Sequence, residues 1–217
     1  MLRPTWVFDL DNTLHDARPQ ILPHIDRSMT RYVAEHLAID EGAANALRIK
    51  FWREHGATLT GLMRHHGTDP HHFLWNTHQF PDLERMLLSE TTLRHTLRRL
   101  PGRRIVFSNA PLFYVEAVIE LLGIDHLFDA VYSIESVRFR SKPSAIGFRA
   151  VLAAERVDPR ACIMVEDSLA NLRTAKRIGM RTVWVTRESR SPAYVDLRVG
   201  ALAALPRLLG ALRKKRS

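Results

Sequence analysis

From Arg104 onward, short β-rich apolar runs alternate with stretches of helical periodicity, and this alternation constrains the fold more than any other feature of the chain. The runs are Arg104-Ile105-Val106-Phe107, Ala130 to Ser133, Ala161 to Val165 and Thr182 to Val185. Between the first two, Leu112, Val115, Val118, Ile119 and Leu122 form a helical stripe, opened by Pro111 and closed by Gly123. Ala145 to Ala154 and Ser168 to Ile178 read as further helices, the latter ended by Gly179, and Leu202 to Leu212 as the last. Thr5-Trp6-Val7-Phe8 adds a buried strand at the start. Strand alternating with helix predicts an α/β fold, a doubly wound parallel sheet covered on both faces.

The stretch between the first two strands reads differently. Ile21, Leu22, Ile25, Met29, Tyr32 and Val33 share one helical face, and Ala43, Ala44, Leu47 and Phe51 suggest a second helix. Gly67, Pro70, His71 and His72 punctuate later turns, and Leu93, Leu97 and Leu100 suggest a helix leading back into the sheet. The expected organisation is a core of residues 1–15 and 89–217 with a small helical cap, residues 16–88, inserted after the first strand. A chain of 217 residues with 46% hydrophobic composition has enough apolar material for that core. No apolar run is long enough to span a membrane, and Met1 to Leu10 reaches Asp9 too soon for a signal-peptide core. Cys162 is the single cysteine, so no internal disulfide forms, and a cytoplasmic setting is expected. Cys162 itself reads as a small core residue.

In an open parallel sheet, ligands sit at the carboxyl ends of the strands. The first strand is followed by Asp9-Leu10-Asp11-Asn12-Thr13, the second by Ser108-Asn109, the third by Lys142-Pro143 and the fourth by Glu166-Asp167. Converged at one edge, these give four carboxylates, a hydroxyl, an amide and one ammonium. Crowded carboxylates raise one another's pKa, and a divalent cation is the simplest remedy. Mg2+ prefers oxygen ligands and is held by one or two carboxylates together with a substrate phosphate. Lys142 and the backbone amides near Ser108 to Ala110 could neutralise phosphate oxygens. In an extended strand Asp9 and Asp11 point to the same side. One can attack phosphorus, and the other can protonate the leaving oxygen and later activate water.

These residues resemble the motifs of the haloacid dehalogenase-like phosphohydrolase superfamily: Asp9-Leu10-Asp11-Asn12-Thr13-Leu14, Ser108-Asn109, Lys142-Pro143 and Val165-Glu166-Asp167-Ser168, with Asn171 one turn later. The resemblance covers nearly the whole chain and implies a Rossmann-like core with an inserted helical cap. It implies Asp9 as nucleophile and metal ligand, and Asp11 as general acid/base with its carbonyl on the metal. Asp167 becomes a metal ligand, Glu166 one directly or through water, and Ser108, Asn109 and Lys142 the phosphate-binding residues. Ser168 is placed to cap its helix. Because dehalogenases of this superfamily lack the second acid, Asp11 favours phosphate-ester cleavage. In the cap, Gly56-Ala57-Thr58-Leu59-Thr60-Gly61-Leu62, His66-Gly67-Thr68-Asp69-Pro70 and His72-Phe73-Leu74 look like the pyrimidine 5′-nucleotidase-like branch, as does Phe107-Ser108-Asn109-Ala110. His15 stands where that branch often has tyrosine. The branch implies a nucleoside monophosphate substrate such as UMP or CMP. Thr58, Thr60 and Arg64 are the candidates for contacting base or sugar.

Two alternatives stand beside this reading. The same core would serve a phosphatase for sugar phosphates or other small metabolites, because the cap chooses the substrate. The net charge of +9 would also suit a basic nucleic-acid-binding module. Scattered arginines without aromatic interleaving argue for a solvated surface instead, with Arg213-Lys214-Lys215-Arg216 as a frayed tail. His65, His66, His71, His72 and His78 read as surface residues of a polar cap loop rather than a metal site, and Phe73, Trp75 and Phe80 as cap core.

Overall fold

Strand β1, Thr5–Phe8, is buried at every residue. Trp6 and Phe8 pack to one side with Leu10 and Leu14, while Val7 joins Ile105, Phe107 and Met164 on the other. Burial on both sides is what a parallel sheet under helices requires. The structure is a computed structural model that describes the backbone of residues 4–214 and the side chains of residues 4–210. Within it β1 lies between β2, Arg103–Phe107, and β4, Cys162–Glu166; β3, Ala130–Tyr132, extends one side, and β5, Arg181–Val185, and β6, Leu197–Val199, extend the other. The order β3-β2-β1-β4-β5-β6 is parallel throughout. The winding therefore reverses between β1 and β4, the switch point where a doubly wound sheet opens a crevice for ligands. At the entry to β2, Gly102 has φ +96°, and a Cβ there would lie 2.0 Å from the Pro4 carbonyl oxygen, so only glycine turns the chain at this point.

Six helices occupy the segment between β1 and β2: α1, Ile21–Leu37; α2, Glu41–His55; α3, Thr58–His66; α4, Pro70–Thr77; the single turn α5, Leu83–Met86; and α6, Leu93–Arg98. Local chemistry sets their ends. Asp40 accepts from Ala43 N at 2.9 Å to start α2, and Asp69 accepts from His72 N at 2.9 Å to start α4, with Pro70 in the first turn. Tyr32, Phe51, Leu59, Leu62 and Phe73 are buried together between these helices. The remaining helices, α7, Leu112–Leu121, α8, Ala145–Glu155, α9, Leu169–Arg177, and α10, Leu205–Lys214, cover the sheet. Cys162 is fully buried, as expected for a core residue. No described helix is long and apolar enough to cross a membrane.

Several expectations need correction. Trp75 is not cap core: it is 58% exposed, with its ring against Phe113, because Phe73 and Leu74 take the inward face of α4. Leu112 is exposed, and Tyr114 takes its place in the buried stripe of α7. His65, His66, His71 and His72 are exposed, but His78 is buried. Helix α10 continues through Arg213 and Lys214, whose side chains, like Lys215 and Arg216 entirely, lie outside the described residues, as do Met1 to Arg3.

Candidate active site

β1 and β4 end level, Phe8 opposite Val165, so Asp9 and the pair Glu166-Asp167 leave the sheet side by side. Asp9 N–H extends the ladder by one bond, donating to Val165 O at 3.0 Å. Lys142 comes from the loop between β3 and α8. Asn109, just past β2, pins that loop: its Nδ2 donates to Lys142 O at 2.9 Å and its Oδ1 accepts from Lys142 N at 2.8 Å. The ammonium is thereby delivered to the centre of the acids. It donates to Asp9 Oδ1 at 2.6 Å, Phe107 O at 2.7 Å and Glu166 Oε2 at 3.0 Å. A lysine has three N–H donors, and all three are engaged here.

Glu166 is the anchor of the far side. Its Oε1 accepts from the backbone N–H groups of Asp167 and Ser168 at 3.1 and 3.0 Å, and its Oε2 accepts from Asn171 Nδ2 at 2.9 Å as well as from Lys142. Ser168 sits at the N-cap position of α9 but its side chain makes no capping bond; Glu166 instead accepts from the N–H of the N-cap residue itself. Burial opposes the ionisation of Glu166, but Lys142 and these donors outweigh it and hold its carboxyl below the ordinary value. Asp9 and Asp167 go the other way. Burial, reinforced by the charge of Glu166, pushes Asp9 up to about 7 against the pull of Lys142. The same causes push Asp167 up to about 9. With one ammonium among three carboxyl groups, the excess acid holds protons wherever no cation takes their place. Asp9, Glu166 and Asp167 each offer an oxygen within 4.8 Å of the others, an all-oxygen set among the described residues that suits a hard divalent cation such as Mg2+.

Asp11 lies beside this cluster. Its Oδ1 accepts from Tyr114 O–H at 2.7 Å, a bond that reaches from the loop after β1 to α7, and lies 3.0 Å from His15 Nε2. Burial opposes its ionisation, yet His15 and Tyr114 win and its pKa is lowered. The same contacts raise that of Tyr114, burial being the first cause. Asn12, at φ +61°, turns the chain back and accepts from Ala17 N at 3.1 Å, which places His15 against Asp11. Thr13 Oγ1 reaches Asp9 Oδ2 at 3.3 Å.

Outside the acids a cleft of ≈620 Å³ opens between the sheet edge and the inserted helices, a volume ordinary for a small-ligand site. Asp11 and Asn109 line its floor, and Thr58, Thr60, Ile25, Trp52 and Phe73 contribute to its walls. Arg64 is exposed and lies outside the lining. Ser108 is buried, and its Oγ accepts from Ala110 N at 3.0 Å. Of the lining residues that the sequence reading did not assign to the site, Arg48 and His78 carry ionisable groups that shape it. Arg48 holds Asp26, and His78 is kept neutral by burial, its pKa pushed down to about 4. Helical spacing marks both: Arg48 falls between buried Ala44 and Phe51 on one face of α2, and His78 falls four residues after buried Leu74.

A doubly wound sheet whose switch point carries a lysine-bridged acid cluster beneath a helical insertion defines an α/β class with its charged groups gathered at the strand ends. The family within that class is shown by the chain itself: residues 5–179 match the model of the haloacid dehalogenase-like hydrolases, and the chain belongs to that family. It is 27% identical over 209 residues to a phosphoglycolate phosphatase of Cereibacter sphaeroides, covering 89% of this chain and 90% of that one. It is 29% identical over 104 residues to a validoxylamine A 7′-phosphate phosphatase of Streptomyces hygroscopicus subsp. limoneus, and spans only 48% of that relative's length. In fold it is similar to an HAD phosphatase from Thermococcus onnurineus, with a TM-score of 0.68 at 20% identity over 97% of this chain and 99% of that one.

Proposed function

We propose that the protein is a phosphomonoester hydrolase in which Asp9 is the nucleophile and Asp11 the general acid/base. The observation that carries this reading is the placement of Asp9, held by Lys142 at 2.6 Å, two residues from a second carboxylate fixed by Tyr114 and His15. The Asp9 carboxylate attacks phosphorus, the bond to the ester oxygen breaks, and Asp11 gives that oxygen its proton. Water then attacks the aspartyl-phosphate, Asp11 takes the water's proton, and inorganic phosphate leaves. Asp11 alternates between the two forms for a physical reason. The lowered pKa suits the base step, and a phosphate dianion arriving beside it raises that pKa and loads the acid.

Asp9 and Asp167 would hold Mg2+ directly, together with the Asp11 carbonyl, and Glu166 through water, since its oxygens already accept four hydrogen bonds. Bound there, the cation would supply positive charge between the carboxylates and the phosphate oxygens. Lys142 meets phosphate by exchanging one of its present bonds. Ser108 and Asn109 shape the phosphate pocket, Asn109 chiefly by holding Lys142 in place. The segment 16–88 acts as the cap.

The substrate we favour is a nucleoside monophosphate of the pyrimidine type. The Gly56-to-Thr60 segment, which carries the branch resemblance, lies along the cleft, and the apolar walls suit a base. A small-metabolite ester is the second reading, favoured by the phosphoglycolate phosphatase relative. Purified protein should release phosphate from UMP or CMP with Mg2+ and stop with chelator. Asp9→Asn should lose roughly 10³-fold or more of kcat, and Asp11→Asn about 10²–10⁴-fold. Inactivity toward every phosphomonoester would remove the proposal.

A further inference from the structure

Most polar groups of the cleft are engaged before any ligand arrives. Thr58 Oγ1 donates to Arg48 O at 3.1 Å, and the Asn109 amide is committed to the Lys142 backbone. Asp26 accepts from Arg48 Nη1 at 2.7 Å. Arg48 is the one lysine or arginine among the described lining residues, and it is only 14% exposed, against 55% for Asp26. Of its five N–H donors, one goes to Asp26 and one to Asn45 Oδ1 at 3.0 Å, while Nε is buried with no hydrogen-bond partner among the described residues. Nε is enclosed, so the donors left for a ligand are the second N–H groups of Nη1 and Nη2, for which no hydrogen bond is formed among the described residues.

The charge of this arginine is already balanced. A carboxylate entering the cleft meets Asp26 as well as Arg48, and it must be desolvated against Ile25, Met29, Trp52, Leu59 and Phe73. An uncharged oxygen acceptor meets no repulsion from Asp26 and costs less to desolvate, and the apolar walls can take a ring. We propose that Arg48 is a specificity-determining residue that donates to an uncharged oxygen on the leaving group. On this view the Arg48–Asp26 pair keeps the cleft neutral, and so selects esters of uncharged, ring-bearing alcohols over esters whose alcohol carries a carboxylate. The inference rests on the phosphatase reading above and decides between its two substrate classes.

The test compares kcat/KM for UMP and for 2-phosphoglycolate, with p-nitrophenyl phosphate as a general reporter of turnover, in the full-length protein with Mg2+. The wild type should favour UMP by at least about tenfold. Asp26→Asn frees the arginine's charge and should raise the phosphoglycolate-to-UMP ratio about tenfold. Arg48→Met should raise KM for UMP about tenfold with kcat little changed, since the contact is made equally in the ground and transition states. A merely structural role would lower kcat and thermal stability together. Should Arg48→Met fail to fold, the ratio in Asp26→Asn, a change at a half-exposed carboxylate, decides. Turnover of p-nitrophenyl phosphate with wild-type preference for phosphoglycolate, or with a ratio unmoved by Asp26→Asn, overturns this inference alone. No turnover of any ester overturns both it and the phosphatase reading.

Discussion

Lys142 is 1% exposed, and its ammonium touches two carboxylates that are themselves buried. Attraction to Asp9 and Glu166 raises its pKa against the opposing, and largest, effect of burial. Removing one partner of such a network leaves uncompensated charge in the interior. Lys142→Met should therefore destabilise the metal-free protein by about 3–5 kcal/mol near pH 8. The sign of the pH effect follows from Glu166. With Lys142 present its pKa is depressed, so it contributes stability above the ordinary carboxylate range and loses it as pH falls through the folded value. Without Lys142, burial prevails and the folded pKa rises above the unfolded one, so the penalty grows as pH rises. Urea unfolding near pH 5 and near pH 8 should give the smaller difference between variant and wild type at the lower pH. An equal difference at both would show that Lys142 acts through packing, for instance against the Phe107 ring 5.2 Å away, and not through charge.

Helices α2 and α3 approach each other where α3 has no side chain. A Cβ on Gly61 would lie 2.2 Å from Phe51 Cγ and 2.5 Å from its Cβ, atoms that cannot swing away as the end of a flexible chain could. Gly61→Ala should cost about 1–3 kcal/mol through overpacking, and the strain falls on α2 and α3, which carry Arg48, Trp52, Thr58 and Thr60 into the cleft. Hydrogen exchange should rise in α2 and α3 while β1 and β4 stay protected, and KM should rise more than kcat falls. Uniform loss of protection through the sheet would contradict this. The elements differ in how legible they are. α1 is plain because its apolar residues recur at helical spacing over 17 residues. β6 leaves no signal, because it has three residues, one an arginine, and pairs only with β5 at the sheet edge. α5 is one turn. Trp75 misleads because side-chain type favours burial there while its angular position on α4, beside Phe73 and Leu74, does not.

At the scale of the molecule, β1 to β5 could be read because each is a short apolar run, and the winding order then brings the residues beyond them, Asp9, Lys142, Glu166 and Asp167, together. What could not be read are contacts set by three-dimensional packing: Tyr114 reaching Asp11 across 103 positions, or Asn109 clamping Lys142. The gathered acids give the assembly a property that no single segment has, a link between folding, cation binding and pH. Without metal, Asp9 is raised to about 7 and Asp167 to about 9, burial being the main cause in both. A cation must displace the protons those groups hold, so its affinity should rise with pH across that window. A ligand that binds only the folded chain stabilises it, by about 2.7 kcal/mol at 100 times its dissociation constant. For a chain of this size that is roughly 5–10 °C in melting temperature. Saturating Mg2+ should thus raise the melting temperature near pH 8.5 by about that amount and near pH 6 by much less, and Asp167→Asn should abolish the response. A shift of the same size at both values, or one that survives Asp167→Asn, would mean that Mg2+ binds elsewhere and that the acids at the switch point between β1 and β4 do not share it.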